Sequence, residues 1–557
     1  MKIKTKIAAA LAAAVCAVGL AGFSMPGQPQ AAYAAEKPAY LKSVTYFGDE
    51  WPINYWGSED ENMDAHFEQI KADGFNSIIL VIPWREFQPA DGNVEFNQAA
   101  FDKLHKVMNC AEAHDLWVTL RIGYTWDYYG PSELPSRFAG VTKKDSADRQ
   151  MWLRYSEAIY RAASSHANFH SGFITWEDFW DYVHNMKRNY TEEERIAMAK
   201  ECGYTEYLKA HYSLAEVNAA YFSDADADGS AQSANANAVG AFTSFDQVGI
   251  PERTSPAAAL FFEYYDQFLN EFLAETQTVF PGISMEVRAD SDLVYAPEGT
   301  YYYSHRATFP CGAADYSAVM YSVSMGQKNE YDRISAAAAL VSTNRTMNSL
   351  HELSGKKLYA EQLLYMDTTA EFSYNTQILD DEVDDYIREL APVLREHTMG
   401  YGLWVYRNYV NNCVYNGQFG LGFTGWRYGS EDTVREVDGD NILALSKNGR
   451  ISQKITGRLG YGETVTVEFW AEPSDGNATL KVSLGKKEKT VKVTKSGVYK
   501  VFFPWQSEYD LKIQTDRRVN MDDIRVYTYE QYGRIYDKDG NEQDLADDFR
   551  VLNGQLE

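Results

Sequence analysis

The sequence predicts an α/β protein: a (β/α)8, or TIM, barrel followed by a C-terminal β-sandwich. Three observations predict it. Between Tyr40 and about Tyr409, eight apolar strand-like runs alternate with helix-length segments. No glycine-rich phosphate turn follows any early strand, which sets aside an open doubly wound sheet. Beyond Asn411 the chain changes to short runs that alternate apolar and polar residues, broken by Gly, Asp and Asn.

The elements follow in order. Lys2, Lys4 and Lys6 precede an apolar run from Ile7 to Phe23, and Ala32-Tyr33-Ala34 offers a cleavage site. Residues 1–34 therefore read as an export signal, and the mature chain is expected to be secreted. Val15 stands before Cys16 where a lipoprotein site needs a small residue, and no second apolar span follows. No membrane partner is expected once the signal is removed.

Residues 36–410 read as the barrel. "LKSVTYFG", "FNSIILVIPW", "LWVTLRIG", "GFITWE", "ISMEVRA", "YSAVMYS", "KLYAEQLLY" and "YGLWVYRNY" are its strands. "MDAHFEQIKADG" and "NQAAFDKLHKVMNCAEAHD" carry apolar residues at helical spacing, as do "ISAAAALVSTNRTMNSLHEL" and "DEVDDYIRELAPVLREH". An insertion at about 185–256 departs from that rhythm. Within it Asp224, Asp226, Asp228 and Gly229 imitate a calcium loop, but Asn235 stands where the closing glutamate belongs, so a solvated turn is expected. Residues 411–530 read as the sandwich, with "NGRISQKI", "ETVTVEFWAE", "ATLKVSLG", "KTVKVTK", "GVYKVFFPW", "YDLKIQT" and "MDDIRVYTY" as its strands, and 531–557 as a polar tail.

Composition narrows the partners. A net charge of −27 argues against nucleic-acid backbones and anionic membranes. Aromatic residues make up 14%, including 40 Tyr and 12 Trp, and such rings stack well on sugars. Cys110, Cys202, Cys311 and Cys413 are too far apart for a compact metal motif. Disulfides and buried free thiols read equally well.

Catalytic residues of such barrels stand at the C-terminal ends of strands. Glu177 ends the fourth predicted strand and Glu361 the seventh. Two carboxylates from opposite sides of a barrel are what retaining glycoside hydrolysis requires. One protonates the leaving oxygen while the other attacks the anomeric carbon. The acid must stay protonated, and desolvation favours that form. In "GFITWEDFWD", Trp176 and Trp180 surround Glu177 with apolar surface and offer faces to a sugar ring. A structural acid satisfied by backbone donors is the equally open alternative for Glu177 taken alone.

The block "VIPWREFQPADGNVEFNQAAFDKLHKVMNCAEAHDLWVTLRIGY" resembles the second and third βα units of clan A glycoside hydrolases, closest to the family 42 and family 35 β-galactosidases. Trp84, Glu86, Gln88, Pro89, Gly92 and Phe96 carry that likeness, with Trp84 also a candidate to face the sugar, and "LRIGYTWDYYGPSELP" is similar to a family 35 stretch. The resemblance implies Glu177 as acid/base, Glu361 as nucleophile and Trp404 as the floor of the cleaved sugar's subsite. It also implies Tyr321 as a contact to the nucleophile. One departure is plain: clan A enzymes place Asn directly before the acid/base, and here that position is Trp176.

Further substrate-binding candidates follow from position. Arg85 and Arg121 lie near strand ends, where they could fix the nucleophile's ionisation or bind hydroxyls. Glu286 and Arg288 share one face of the fifth strand, and a barrel-interior salt bridge is an equal reading for them. Tyr124 and Trp126 suit subsite walls or loop packing. "YNGQFGLGFTGWRYG" with "MDDIRVY" resembles carbohydrate-binding modules built on the galactose-binding jelly roll, through Asn416, Gly417, Phe419, Gly425 and Trp426. That resemblance fits sugar binding and a packing role equally.

The expectation is a secreted retaining glycosidase that cleaves a neutral, β-linked, β-galactosidase-like glycan and needs no cofactor or metal. A glycan-binding protein on an inactive barrel, or an endo-acting glycanase of the same clan, stays open at this point.

Overall fold

The computed structural model describes residues 37–556 except 49, 53, 59, 61, 90–94, 125–139, 176–189, 223–239, 253–254, 290–293, 297–298, 302–311, 324–331, 367–374, 438–439, 456–463, 506–508 and 529. For 124, 288–289, 294–296 and 299–301 it describes the backbone alone. The export signal and the calcium-like turn lie outside the described residues.

Eight parallel strands close into a barrel in chain order. They are β1 (Leu41–Tyr46), β2 (Ser77–Pro83), β3 (Trp117–Tyr124), β4 (Phe169–Ile174), β5 (Ser284–Ala289), β6 (Ser317–Ser322), β7 (Leu358–Leu364) and β8 (Thr398–Leu403). All eight expected strands are present. Every residue of β1, β2, β6 and β7 is buried, because a parallel barrel strand is covered on both faces, by the bore and by helices. Leu41, Ile79, Phe173, Ala318 and Tyr359 fill the bore as one cluster with Tyr316.

Helices wrap the strands. These are α1 (Met63–Ala72), the short α2 (Trp84–Phe87), α3 (Gln98–Ala113) and α4 (Ala147–Ser164). The insertion contributes α5 (Glu192–Cys202), α6 (Tyr204–His211) and α7 (Leu214–Tyr221). Capping boxes at Thr191 and Ser213 start α5 and α7, and Tyr204 packs edge-on to Phe261 of α8 (Ala258–Val279) at 5.1 Å. Then come α9 (Ala336–Ser354), α10 (Val383–Glu389) and α11 (Ala391–His397).

The sandwich has two five-stranded antiparallel sheets. Its strands are β9 (Arg427–Tyr428), β10 (Thr433–Val437), β11 (Asp440–Leu445), β12 (Arg450–Ile455), β13 (Thr464–Pro473), β14 (Ala478–Leu484), β15 (Lys487–Val493), β16 (Gly497–Pro504), β17 (Tyr509–Thr515) and β18 (Val519–Tyr527). The sheet orders are β9-β12-β17-β14-β15 and β10-β11-β18-β13-β16. The period-two pattern found seven of these. It passed over β9, β10 and β11, because β9 spans two residues and β10 keeps no buried face. Trp426 belongs to the core: it is 6% exposed, its Nε1 donates to the Asn416 carbonyl at 2.9 Å, and its ring leans on Phe419. Asn416 braces the same turn by donating to the carbonyls of Gly422 and Thr424. Packing is what this motif does here.

The polar tail is corrected. Residues 546–555 form α12 (Ala546–Gln555), which buries Phe549, Leu552 and Asn553 against the barrel. Tyr401, on the outer side of β8, donates to Asn553 Oδ1 at 2.6 Å, and Lys42 of β1 donates to its carbonyl at 3.0 Å. Asn553 Nδ2 in turn donates to the Asp73 carbonyl at 2.8 Å. The Asp73 carboxylate collects Tyr406, Tyr536 and Arg550. α12 thus fills the place between β8 and β1 that the eighth barrel helix occupies, and the sandwich is spliced in ahead of it. Asn553→Ala strands a buried hydroxyl and a buried carbonyl, and should cost about 2–4 kcal/mol of stability. Urea unfolding measures this, and a loss below about 0.5 kcal/mol, the noise of a surface change, would mean the helix is not docked.

Candidate active site

Among the described residues, a fully buried polar network crosses the C-terminal end of the bore. Arg121 of β3 is its hub. Its Nη2 lies 2.8 Å from Glu286 Oε2 of β5, and both side chains are 1% exposed or less. Its Nε donates to Thr175 Oγ1, just past β4, at 3.1 Å, and its Nη1 donates to Gln362 Oε1 of β7 at 2.8 Å. Thr175 Oγ1 donates on to Glu286 Oε2 at 3.1 Å. One guanidinium therefore ties together four strand ends, a task its planar fork of donors suits.

Glu361 stands beside Gln362 on β7 and is wholly buried. The pairing register of β7 slips against both β6 and β8 around Glu361, which marks a bulge. Bulges re-aim side chains next to active sites. A Cβ on Gly402 would lie 2.1 Å from the Glu361 carbonyl oxygen, so only glycine lets β8 pass the bulge. Burial pushes the phenol of Tyr359, two residues earlier, above its ordinary value, and the charge of Glu361 adds to the rise.

Trp404 follows β8 and is 8% exposed. Phe47 lies 5.4 Å from its ring, Trp51 meets it edge-on at 6.0 Å, and Tyr409 stands at 5.9 Å. Trp51 is carried by the segment after β1, and the sandwich grips that segment. Arg525 of β18 lies 3.0 Å from Glu50 Oε1, and Asn412 donates to Glu50 Oε2 at 3.2 Å.

The other candidates sort plainly. Trp84 is wholly buried, donates to Gln88 Oε1 at 2.7 Å and meets Trp152 edge-on, so a sugar-facing role is corrected to packing between α2 and α4. Tyr321 is also corrected: its hydroxyl bonds Thr343 of α9 at 2.9 Å, on the helical side of β6 and away from the bore. Arg85 is partly exposed and sits by Tyr415, whose hydroxyl lies 3.5 Å from Glu86 Oε2. For Glu286 the salt-bridge alternative is the one realised. Glu177, Trp126, Trp176 and Trp180 lie outside the described residues, as do the side chains of Tyr124 and Arg288.

Sequence reasoning missed Thr175, Gln362, Phe47 and Trp51. Gln362 had no signal to give, since strict alternation from Tyr359, which lies in the bore cluster, points it outward, and only the bulge brings it to Arg121. Phe47 and Trp51 carried one, as aromatics straight after the first strand.

The family model of glycosyl hydrolases family 35 matches residues 43–279, the half of the barrel from β1 to α8. The chain is a glycoside hydrolase that resembles this family over those residues. No curated protein matches it significantly. Solved structures similar to the hydrolase include GH5_18 from Bifidobacterium longum subsp. longum ATCC 55813, at 11% identity and a TM-score of 0.41, covering 67% of this chain and 71% of that one. A beta-galactosidase from the psychrophilic Marinomonas ef1 is 12% identical at a TM-score of 0.43, covering 66% of this chain and 54% of that one. An exo-beta-1,4-mannosidase from Opitutaceae bacterium strain TAV5 is 10% identical at 0.39, covering 66% and 52%. At such identities and scores these likenesses say nothing of which sugar this hydrolase cleaves.

Proposed function

We propose that this hydrolase is an exported, retaining β-glycosidase acting on a neutral glycan, with Glu361 as nucleophile and Glu177 as acid/base. The observation that carries the reading is Glu361 itself: a wholly buried carboxylate at a bulge on the seventh strand, beside the Arg121 network. The same guanidinium holds Thr175, and Glu177 follows two residues later in sequence. Arg121 therefore links the two segments that bear the proposed carboxylates.

In the mechanism, Glu177 donates its proton to the glycosidic oxygen as the Glu361 carboxylate bonds to the anomeric carbon and the aglycone leaves. Water then attacks the glycosyl ester. Glu177, now the base, takes the water's proton, and Glu361 is released. Trp404 would lie beneath the sugar, held at its angle by Phe47, Trp51 and Tyr409.

A panel of nitrophenyl β-glycosides tests the reading. At least one should be hydrolysed, and proton NMR of the first product formed should show the β anomer. Initial release of the α anomer would overturn the double displacement.

A further inference from the structure

The outer wall of the barrel carries a second cluster that glycoside hydrolysis does not use. Cys110 and His114 lie four residues apart, on the last turn of α3 and at its C-cap, so their side chains project from one face. Asp64, in the first turn of the neighbouring α1, meets them. Its Oδ1 is 2.8 Å from His114 Nε2 and 4.0 Å from Cys110 Sγ, and the three donor atoms all lie within 4.8 Å of one another. The ring of Phe67, also on α1, meets His114 edge-on at 6.4 Å. Solvent reaches the cluster, since the Asp64 side chain is 84% exposed and that of His114 19%.

We propose that Asp64, Cys110 and His114 form a site for a divalent transition-metal ion of the zinc class, clamping α1 to α3. Zinc bonds of about 2.0–2.3 Å in a tetrahedron place ligand atoms roughly 3.3–3.7 Å apart, so these three need move by only about an ångström to close on one ion. The donor set of thiolate, imidazole and carboxylate selects such an ion over calcium or magnesium, which prefer all-oxygen shells. The two anionic donors offset the ion's charge, and the fourth position is open to water. The site lies on the outer helices α1 and α3 and not on the strand that bears Glu361, and its test reads binding rather than turnover.

Cobalt(II) titrated into the mature, untagged full chain should raise a thiolate-to-cobalt charge-transfer absorption that saturates at one ion per chain and is displaced by zinc. Cys110→Ser should abolish the band while leaving the circular dichroism unchanged. Asp64→Asn and His114→Gln should each weaken zinc binding, measured calorimetrically, by no less than the roughly tenfold that loss of an outer-shell partner costs. A wild-type chain without the band would overturn the site. So would a band that survives in Cys110→Ser, or carboxamide variants that bind zinc as the wild type does.

Discussion

Glu361→Gln is expected to lower kcat by at least about ten-thousandfold on any substrate the hydrolase accepts, with little change in KM. Losing the nucleophile of a covalent mechanism removes an interaction made only on the way to the transition state, and knock-outs of that kind cost about 10^4–10^6 in rate. Glutamine keeps the shape of the side chain at a wholly buried position, so folding should survive; circular dichroism checks this. Glu177→Ala complements it. On an aryl glycoside whose leaving group needs no proton, that variant should form the glycosyl ester and then stall. Azide, a nucleophile that requires no general base, should restore turnover and yield the β-glycosyl azide. Two variants with near wild-type rates would remove both carboxylates from the chemistry.

Arg121→Met should be the most damaging single change for stability. It strips Glu286 of its ion partner inside the bore, and breaking a buried pair on one side costs about 3–5 kcal/mol. It also loosens Thr175 and Gln362, so kcat should fall as the strand ends drift. The double variant Arg121→Met with Glu286→Leu should recover much of the stability, because no orphaned charge remains, yet stay slow. Recovery of stability without activity would mark Arg121 as a residue that positions the site. Arg121→Lys should rescue little, since an ammonium cannot reach three acceptors in the geometry of the fork. A melting temperature and kcat untouched in Arg121→Met would refute the network's role.

The barrel strands were legible because parallel strands covered on both faces write themselves as unbroken apolar runs, as in Ser77–Pro83 and Ser317–Ser322. The sandwich strands showed through period-two alternation. Glu361 was expected at the end of the seventh strand, and it stands instead fourth of the seven residues of β7, at the bulge. What those patterns report is which residues avoid water along a few consecutive positions, and that much is local.

Other features needed the closed structure. Tyr321 and Gln362 sit at comparable places on neighbouring strands, yet one faces the helices and the other the bore. A bulge sets the phase of β7, and no alternation rule foresees it. Arg121 and Glu286 were each visible as barrel residues, but 165 positions separate them in the chain, and only closure of the barrel brings them to 2.8 Å. The C-terminal residues read as polar because their apolar stripe of Phe549, Leu552 and Leu556 is thin. Its partner surface on β8 and β1 was made some 150 to 500 residues earlier. Sequence by itself determined the elements and the chemical class of the residues at their ends. Tertiary structure decided which of those residues share a cavity, because register and closure depend on contacts between distant segments.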